Sequence, residues 1–447
     1  MKSTSKSIIV LPFKIVNEDI NNNPFDFKNQ SQYINEDQEL FSQFLNKMKT
    51  FDCDNEKIVD IKYHDFVSSY ISNQKEDQIK SFLKFYSLSP EYYIKQKVFN
   101  FNKNKFFLAE SDVEFIFHKN TYIITNENAR ICYLVLNFEL LLEDASVSIL
   151  DELSKLEFFR YYKPKQVEKN SSTIIPKYQI RVQQGINEEA LQYSLFSLVL
   201  DYFKPIISNI KFLYDRPITL HLFNSDNGFN DTGILNKKFY NSLRVPVKLN
   251  ESEQDLNTFI NEIKTPDLNI RFMAMNEGGI VIDRGCSNLK DLVNKYFPAF
   301  ILALNQREIM IMTNRKISTI DYDKVLKNNL SKLKNDIHLF QLKQMFYSIS
   351  FISEIDQFFC ELQNKFRIET LLRDNKEGIF EINALLEKER NDQIANLLVV
   401  LSIVQGVTAF FSIFGEMSSI SLKFIILLSF FLIYFILYMR KKKNNLL

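Results

Sequence analysis

The stretch that decides the fold lies near the end of the chain, at residues 394–414, and reads IANLLVVLSIVQGVTAFFSIF. These twenty-one residues include no Asp, Glu, Lys or Arg. At about 1.5 Å per residue, a helix of this length spans the ~30 Å hydrocarbon core of a bilayer. A buried helix of a soluble protein is apolar on one stripe, whereas charge is absent here from every face. The segment therefore predicts a transmembrane helix.

A second apolar segment covers residues 420–439, after a short connection at residues 415–419. Lys423 lies near its start, where a long side chain reaches the membrane interface. The alternative, a pair of buried soluble helices, would require charge on at least one face. The sequence therefore predicts a two-helix transmembrane hairpin, with residues 415–419 as its loop.

The basic residues around the two segments predict their orientation. Lys388 and Arg390 precede the first span, and the connection carries no Lys or Arg. A basic tail at residues 440–447 follows the second span and begins with the topology anchors Arg440, Lys441, Lys442 and Lys443. Under the positive-inside rule, both ends of the protein are cytoplasmic and the loop is external.

Composition excludes several classes of protein. The 447 residues include 55 basic and 54 acidic side chains, so a net charge of +1 gives no reason to expect direct nucleic-acid binding. The cysteines, at positions 53, 132, 286 and 360, show no CxxC spacing and predict reduced thiols. The apolar run at residues 8–16 contains Pro12 and Lys14 and is too short for a signal peptide. We therefore expect a cytosolic soluble part and a multi-pass protein of the cell (inner) membrane.

The first 287 residues alternate strand-like and helix-like patterns, which indicates an α/β or α+β domain with a central sheet. Strands are predicted at residues 8–16, 113–118, 121–125, 131–138, 178–182, 218–223, 270–275 and 280–283. Helices are predicted at residues 38–49, 147–159, 188–210 and 253–264. Gly278 and Gly279 lie between two predicted strands and suggest a hairpin turn.

From residue 288 onward the pattern is helical. Residues 288–373 predict long antiparallel helices: one at 288–316, with Pro298 as a potential kink, and one at 321–373. Residues 374–414 predict a stalk helix that continues unbroken into the first span. The predicted fold class is thus an α/β cytosolic domain followed by long helices and a C-terminal two-helix transmembrane hairpin.

Polar residues of the first span recur at alternating steps of three and four, which places them on one side of a helix. We call this side the polar seam, and its members are Asn391, Ala395, Leu398, Ser402, Gln405, Ala409, Ser412 and Glu416. The seam continues backwards through Lys388, Ala384, Glu381, Glu377 and Asp374. The opposite face carries Ile379, Ile382, Leu386, Leu397, Val400, Val404 and Phe411.

Two interpretations of the polar seam are open, because polar groups that face lipid are costly. Small and hydroxylated residues often pack membrane helices together. Alternatively, copies around a shared axis place the seam on a pore, lined by Asn391, Leu398, Ser402, Gln405 and Ser412. Gly415 and Glu416 then form the pore mouth, where a carboxylate ring attracts cations, and Leu398 is an apolar constriction.

The ending of the chain resembles the CorA family of two-span divalent-cation channels. The resemblance rests on EINALLEKERNDQIANLLVVLSIVQGVTAFFSIFGEM at residues 381–417, followed by a short loop, an apolar span and a terminal KKK. It is good over roughly residues 290–447 and only architectural before them. It implies a stalk helix that lines the pore, five subunits and transport of magnesium.

The sequence departs from the family at the pore mouth. The family ends its first span on an aromatic-Gly-Met-Asn signature, in which the Asn holds a hydrated magnesium ion. Phe414 and Gly415 match its start, whereas Glu416 and Met417 stand in place of Met-Asn. A carboxylate at this place would bind and select ions differently.

Divergent CorA-like proteins of this kind resemble effectors of type III CRISPR systems, in which a nucleotide second messenger opens the channel in antiviral defence. The resemblance therefore implies Mg²⁺ and a small nucleotide as ligands, with no tightly bound cofactor. The leading hypothesis is an oligomeric ion channel gated by a ligand or ion that the cytosolic domain senses. The alternative is a non-conducting, membrane-tethered receptor or scaffold.

Other candidate sites are weaker. Phosphate-binding loops, nucleophile elbows and paired carboxylates in a catalytic context are missing, so no enzyme is predicted. Residues 224–233, NSDNGFNDTG, are rich in oxygen ligands but lack the EF-hand register, and an ordinary surface loop is the alternative. The stalk residues Asp374, Glu377 and Glu381 are candidate regulatory cation sites between subunits, or simply a solvated helix face.

Overall fold

The structure is a computed structural model. It describes residues 5–15, 41–46, 63–64, 67, 83–87, 104–108, 114–117, 122–126, 129–141, 180–184, 191–193, 210–213, 218–224, 263–276, 278–286, 288–318 and 327–414. Contacts divide the chain into two compact units, which are described separately. The first comprises Met1–Ile320 and Leu333–Asn375, and the second comprises Asp321–Lys332 and Lys376–Leu447.

The described part of the first unit contains one mixed sheet of thirteen strands. The strands are β1 (Ser5–Ile15), β2 (Leu83–Ser87), β3 (Asn104–Leu108), β4 (Glu114–Phe117), β5 (Tyr122–Asn126), β6 (Ile131–Leu141), β7 (Ile180–Gln184), β8 (Leu191–Tyr193), β9 (Ile210–Phe212), β10 (Ile218–Phe223), β11 (Lys264–Asp267), β12 (Ile270–Met275) and β13 (Gly278–Asp283). Their order is β11-β12-β13-β10-β1-β6-β4-β3-β7-β8, with β5 beside β6, β2 beside β5, and β9 beside β1.

The sheet is mainly antiparallel. Among its described ladders, β10 and β13 form the parallel one, and every residue of these two strands is buried. Strands that are covered on both faces are mostly apolar, which explains the runs ITLHLF and GGIVID, in which Thr219, His221 and Asp283 are the polar exceptions. At the β11 edge, an exposed KTPD strand with a proline limits further pairing.

All eight strand predictions are confirmed, because each was a short β-branched or aromatic run. Strands β2, β3, β8, β9 and β11 were not predicted. The predicted helix at residues 188–210 is wrong within the described residues. Strand β8 pairs there with β7, and Ile210 begins β9 beside β1. Pairing with distant strands overrides local helical preference there. Residues 41–46 are helical, as predicted, whereas 147–159 and most of 253–264 lie outside the described residues.

The predicted hairpin between β12 and β13 is confirmed, but its glycines are not in the turn. Met275 pairs with Gly278, so both glycines belong to β13. Gly278 has φ +156°, and a Cβ there would overlap the carbonyl oxygen of Thr219 on β10. The glycine pair therefore permits the close parallel approach of two strands.

Four long helices follow the sheet in the described chain. They are α1 (Leu289–Ser318), α2 (Lys327–Lys343), α3 (Ser353–Lys365) and α4 (Ile368–Phe414). The predicted helix at 288–316 is confirmed as α1. Asn288 caps it, because its side-chain oxygen accepts a hydrogen bond from the Asp291 backbone N–H at 2.9 Å. The continuous helix through 374–414 is confirmed as part of α4.

A single helix over residues 321–373 is wrong, since α2, α3 and the start of α4 share this range. Residues outside the connection between α2 and α3 fix its conformation. The Asp356 carboxylate on α3 accepts a hydrogen bond from the Ile349 backbone N–H at 2.7 Å, and Ser350 forms an isolated β-bridge with Tyr63. Arg367 has φ +57°, a left-handed conformation that ends α3. These interruptions depend on long-range partners that a periodicity does not report.

The core of the first unit lies where α1 and α3 pack on the sheet, α1 against β10 and α3 against β11, β12 and α1. Phe358 of α3 is central to it, with edge-to-face ring contacts at 5.4 Å to Phe272 and 5.6 Å to Tyr296. Gly279 leaves room for this ring, because a Cβ there would lie 3.1 Å from it. The α3–sheet contact therefore uses the same glycine pair as the parallel ladder.

Candidate functional site

The apolar segment of α4 has an unusual surface. Within the described residues, one helix, Ile368–Ala409, is long and apolar enough to cross a membrane by length and composition, and its most apolar stretch is not buried. Leu397 is 66% exposed and Leu398 59%. Fully burying one such side chain contributes about 1.5–3 kcal/mol. No residue that the structure describes covers these side chains.

The hydroxyl groups of this segment bond to their own helix. Ser402 Oγ donates to the Leu398 carbonyl at 2.8 Å, and Ser412 Oγ donates to the Ala409 carbonyl at 3.2 Å. Thr408, which lies off the polar seam, donates to the Val404 and Gln405 carbonyls at 3.0 and 2.9 Å. Each hydroxyl proton is therefore satisfied without a partner from another helix.

Gln405 differs from the hydroxylated residues. It is exposed, and its side-chain amide makes no hydrogen bond to any residue that the structure describes. A primary amide has two donor hydrogens and an acceptor oxygen, and it cannot satisfy them on its own helix as a hydroxyl does. Among the predicted pore-lining residues within residues 394–414, Gln405 thus has the strongest requirement for water or another chain.

The predicted division of α4 into two faces is present in the stretch before the apolar segment. Ile379 and Ile382 are buried, whereas Asp374, Glu377 and Glu381 are exposed. Asn391, at the end of this stretch, is also exposed. The described residues contain no group of three or more His, Cys, Asp or Glu side chains that could hold a metal ion. A cation site between subunits stays a prediction.

Several predicted residues cannot be placed. Gly415 and Glu416, the loop at 415–419, the second span at 420–439 and the tail residues Arg440, Lys441, Lys442 and Lys443 lie outside the described residues. The same holds for residues 225–233 of the oxygen-rich loop. The hairpin, its pore mouth and its topology therefore stay predictions.

The first unit contains a buried charged cluster that the sequence did not indicate. The Lys295 ammonium on α1 lies 2.7 Å from Asp283 Oδ2 at the end of β13, and 3.5 Å from Glu354 Oε1 on α3. The Tyr296 hydroxyl and the Cys286 thiol donate to the same Asp283 oxygen at 3.0 and 3.4 Å. The cluster therefore ties the end of a central strand to both helices of the core.

The carboxylate of this cluster stays ionised. Burial alone would raise the pKa of Asp283, but the hydrogen bond and charge of Lys295, with the bonds from Tyr296 and Cys286, hold it below its usual value. Burial, and next the charge of Asp283, raise the pKa of Tyr296. A carboxylate with a lowered pKa and several donors is a poor general base near neutral pH. The cluster therefore joins a strand end to two core helices through an ionised carboxylate.

A second buried contact lies at the base of α4, within the first unit. The Asn375 side-chain amide donates to the Met310 carbonyl of α1 at 2.9 Å and lies 3.6 Å from the Met310 sulfur. Its Oδ1 atom is buried without a hydrogen bond in the described structure. Asn375 thus attaches the start of α4 to α1. The sequence analysis did not single out this residue.

The described cysteines Cys132, Cys286 and Cys360 are free thiols, and burial raises the pKa of Cys132 and of Cys360. A raised pKa disfavours the reactive thiolate at Cys132 and Cys360. Comparison of the chain with protein-family models, curated proteins and solved structures finds no match.

Proposed function

We propose that this chain is the subunit of an oligomeric cation channel, in which α4 crosses the membrane over residues 394–414 with its polar seam toward a shared axis. Gln405 supports the proposal most strongly. An exposed amide without a hydrogen-bond partner costs roughly 2–7 kcal/mol in an apolar medium. In a bilayer such a group requires water or protein on its side of the helix.

The opposite face of the segment supports the same arrangement. Leu397, Val400 and Val404 are exposed and wholly apolar, as expected of a lipid-facing surface. A helix with one lipid-facing side and one polar side needs a neighbour or a water-filled axis at the polar side. The predicted second span, residues 420–439, offers few polar groups, so copies of α4 are the better partners. Five copies follow from the CorA resemblance alone.

The sheet-containing unit is proposed as the sensor that gates the channel. Its large buried core and its attachment to α4 through Asn375 suit a unit whose state is transmitted to the stalk. By resemblance, its ligand is a divalent cation such as Mg²⁺ or a small nucleotide messenger of a type III CRISPR system, which would make the protein an antiviral effector. Asp374, Glu377 and Glu381 remain proposed regulatory cation sites.

One observation favours a second function, a non-conducting tether for a receptor or scaffold. The hydroxyls of Ser402, Thr408 and Ser412 all bond to their own helix, so they need no pore. A helix that only anchors the protein tolerates such residues. Gln405 is the residue on which the two functions differ, because a tether gains nothing from its amide.

The test is ion flux from proteoliposomes that contain the purified full chain, with K⁺ or Mg²⁺ inside, with and without candidate nucleotide messengers. The channel predicts flux that Gln405→Leu reduces at least about tenfold, since an apolar ring at this layer excludes water. Thr408→Val is the matched control, because it removes a polar group that lies off the seam. Absence of flux under every condition, from protein that is folded and oligomeric, would support the tether.

A further inference from the structure

The hydroxyl bonds of α4 determine which atoms the polar seam presents. Ser402 and Ser412 direct their protons to the Leu398 and Ala409 carbonyls, so their free lone pairs point away from the helix backbone. A hydroxyl in this state acts as an acceptor only. Oxygen acceptors coordinate cations and repel anions. The seam therefore presents acceptor oxygens that favour cations, even though it carries no charge within the apolar segment.

The strength of this acceptor surface limits the charge of the ion. Residues 394–414 include no carboxylate, so an ion at the level of Ser402 and Gln405 meets only uncharged groups, of which the Ser402 hydroxyl and the carbonyl end of the Gln405 amide supply oxygen acceptors. The cost of partial dehydration grows as the square of the charge, about fourfold from a monovalent to a divalent ion. Mg²⁺ gives up its waters reluctantly and is usually held by carboxylates. Neutral oxygens compensate a monovalent cation far better.

Charges next to the segment do not reverse this preference. Lys388 lies on the seam and is exposed, about 21 Å along the helix from Ser402. Its repulsion is twice as large for a divalent as for a monovalent ion. Glu387, Arg390 and Asp392 are exposed on other sides of the same turns. Glu416 follows the segment and attracts cations of either charge without replacing their water inside it.

On the basis of the proposed channel, we infer that the Ser402 and Gln405 layers form its selectivity site and that it passes monovalent cations in preference to divalent ones. The two layers are three positions apart, about 4.5 Å along the helix, and Leu398 and Ala409 bound them on either side. This ion class differs from the divalent class that the CorA resemblance implies.

The experiment compares the efflux of K⁺ and of Mg²⁺ from matched proteoliposomes of the full chain, under the condition that gives the largest flux. Efflux of K⁺ at least about tenfold faster than that of Mg²⁺ is the expected result. Equal or faster Mg²⁺ efflux would overturn the inference and leave the channel standing. If neither ion moves, and the protein is folded by circular dichroism, the proposed channel itself is wrong.

Two variants locate the selectivity. Gln405→Glu places a carboxylate ring at the site and is expected to raise the Mg²⁺-to-K⁺ flux ratio about tenfold or more, because charge then compensates dehydration. Thr408→Glu adds the same charge off the seam and should leave the ratio unchanged in any variant that still conducts. If Gln405→Glu does not fold, Ser402→Asp repeats the test one layer away. An equal change in the Mg²⁺-to-K⁺ flux ratio in Gln405→Glu and Thr408→Glu would contradict the assigned site.

Discussion

One region of the described chain buries charged side chains, and another exposes large apolar ones. In the sheet-containing unit, Asp283 and Lys295 are almost fully removed from solvent, whereas in α4 the large apolar side chains Leu397 and Leu398 are more than half exposed. The buried charges are stabilised within the chain, each by the other. The exposed leucines find no cover in the chain that the structure describes. The first region thus satisfies its unusual side chains from within, whereas the second leaves its apolar side chains exposed within the described residues, as the proposed membrane span requires.

The largest effect is expected from the buried ion pair. Lys295→Met leaves the carboxylate of Asp283 in the core without its cation, which destabilises the first unit by about 3–5 kcal/mol. Loss of the β-sheet signal on heating, followed by circular dichroism in detergent, measures it. Lys290→Met is the matched control, because Lys290 is exposed on the same helix and should change stability by less than about 0.5 kcal/mol. Equal effects from both lysines would mean that the buried pair is not special.

The glycines of the two regions should also behave differently. Gly278→Ala forces a Cβ into the Thr219 carbonyl at a positive φ, and we expect a loss of about 1–3 kcal/mol in the same unfolding experiment. A Cβ at Gly406 in α4 would meet no atom of the described residues within 4 Å, so Gly406→Ala should leave the sheet unfolding unchanged. A tolerated alanine at Gly278 would contradict the close parallel approach of β10 and β13.

A smaller effect is expected at the base of α4. Asn375→Ala removes the donor to the buried Met310 carbonyl and should cost about 1–2 kcal/mol. The cost is moderate because Asn375 Oδ1 is itself buried without a partner in the described structure. Arg373→Ala, at an exposed position two residues before Asn375, serves as the control. If Asn375→Ala also raises the resting ion flux of the channel, this contact carries the signal from sensor to stalk.

The smallest effect is the dependence of stability on pH. Because the folded pKa of Asp283 is lowered, its contribution is fully present above the unfolded value of about 3.9 and is lost as the pH falls through the folded pKa. The melting temperature of the wild type should therefore decrease when the pH is lowered below about 4. In Lys295→Met, the part of this decrease in melting temperature that Asp283 causes should disappear, because the pKa of Asp283 is no longer lowered. Parallel acid profiles for the two proteins would contradict the assigned cause.

Local patterns explain which elements were predictable. Strands β10 and β12 are dense in β-branched and aromatic residues and were placed with their observed bounds, and α4 was placed because its two faces differ along many turns. The break before α3 was missed, because it depends on Tyr63 and Asp356 reaching the connection after α2. Strand β8 was missed because three residues give too short a pattern. Long-range pairing has no local signal.

The candidate sites divide in the same way. Helical spacing was enough to predict that Ser402, Gln405 and Ser412 share one side of α4, since side-chain direction follows from residue number. The carbonyl groups to which the serine hydroxyls donate could not be predicted from spacing and follow from the structure. The Asp283–Lys295 pair was not predictable, because nothing local selects one of 55 basic residues as the partner of a given carboxylate. Sequence therefore predicted the seam and not the buried charges.

The central claim is that the polar seam of α4 faces water while the opposite face meets lipid. The most direct measurement is modification of single cysteines by a water-soluble thiol reagent in proteoliposomes, with the wild-type chain and its native cysteines as the reference. Ser402→Cys and Gln405→Cys should react well above this reference, and Val400→Cys, on the opposite face, should not. Equal reactivity at all three positions, or none at any of them, would contradict the account.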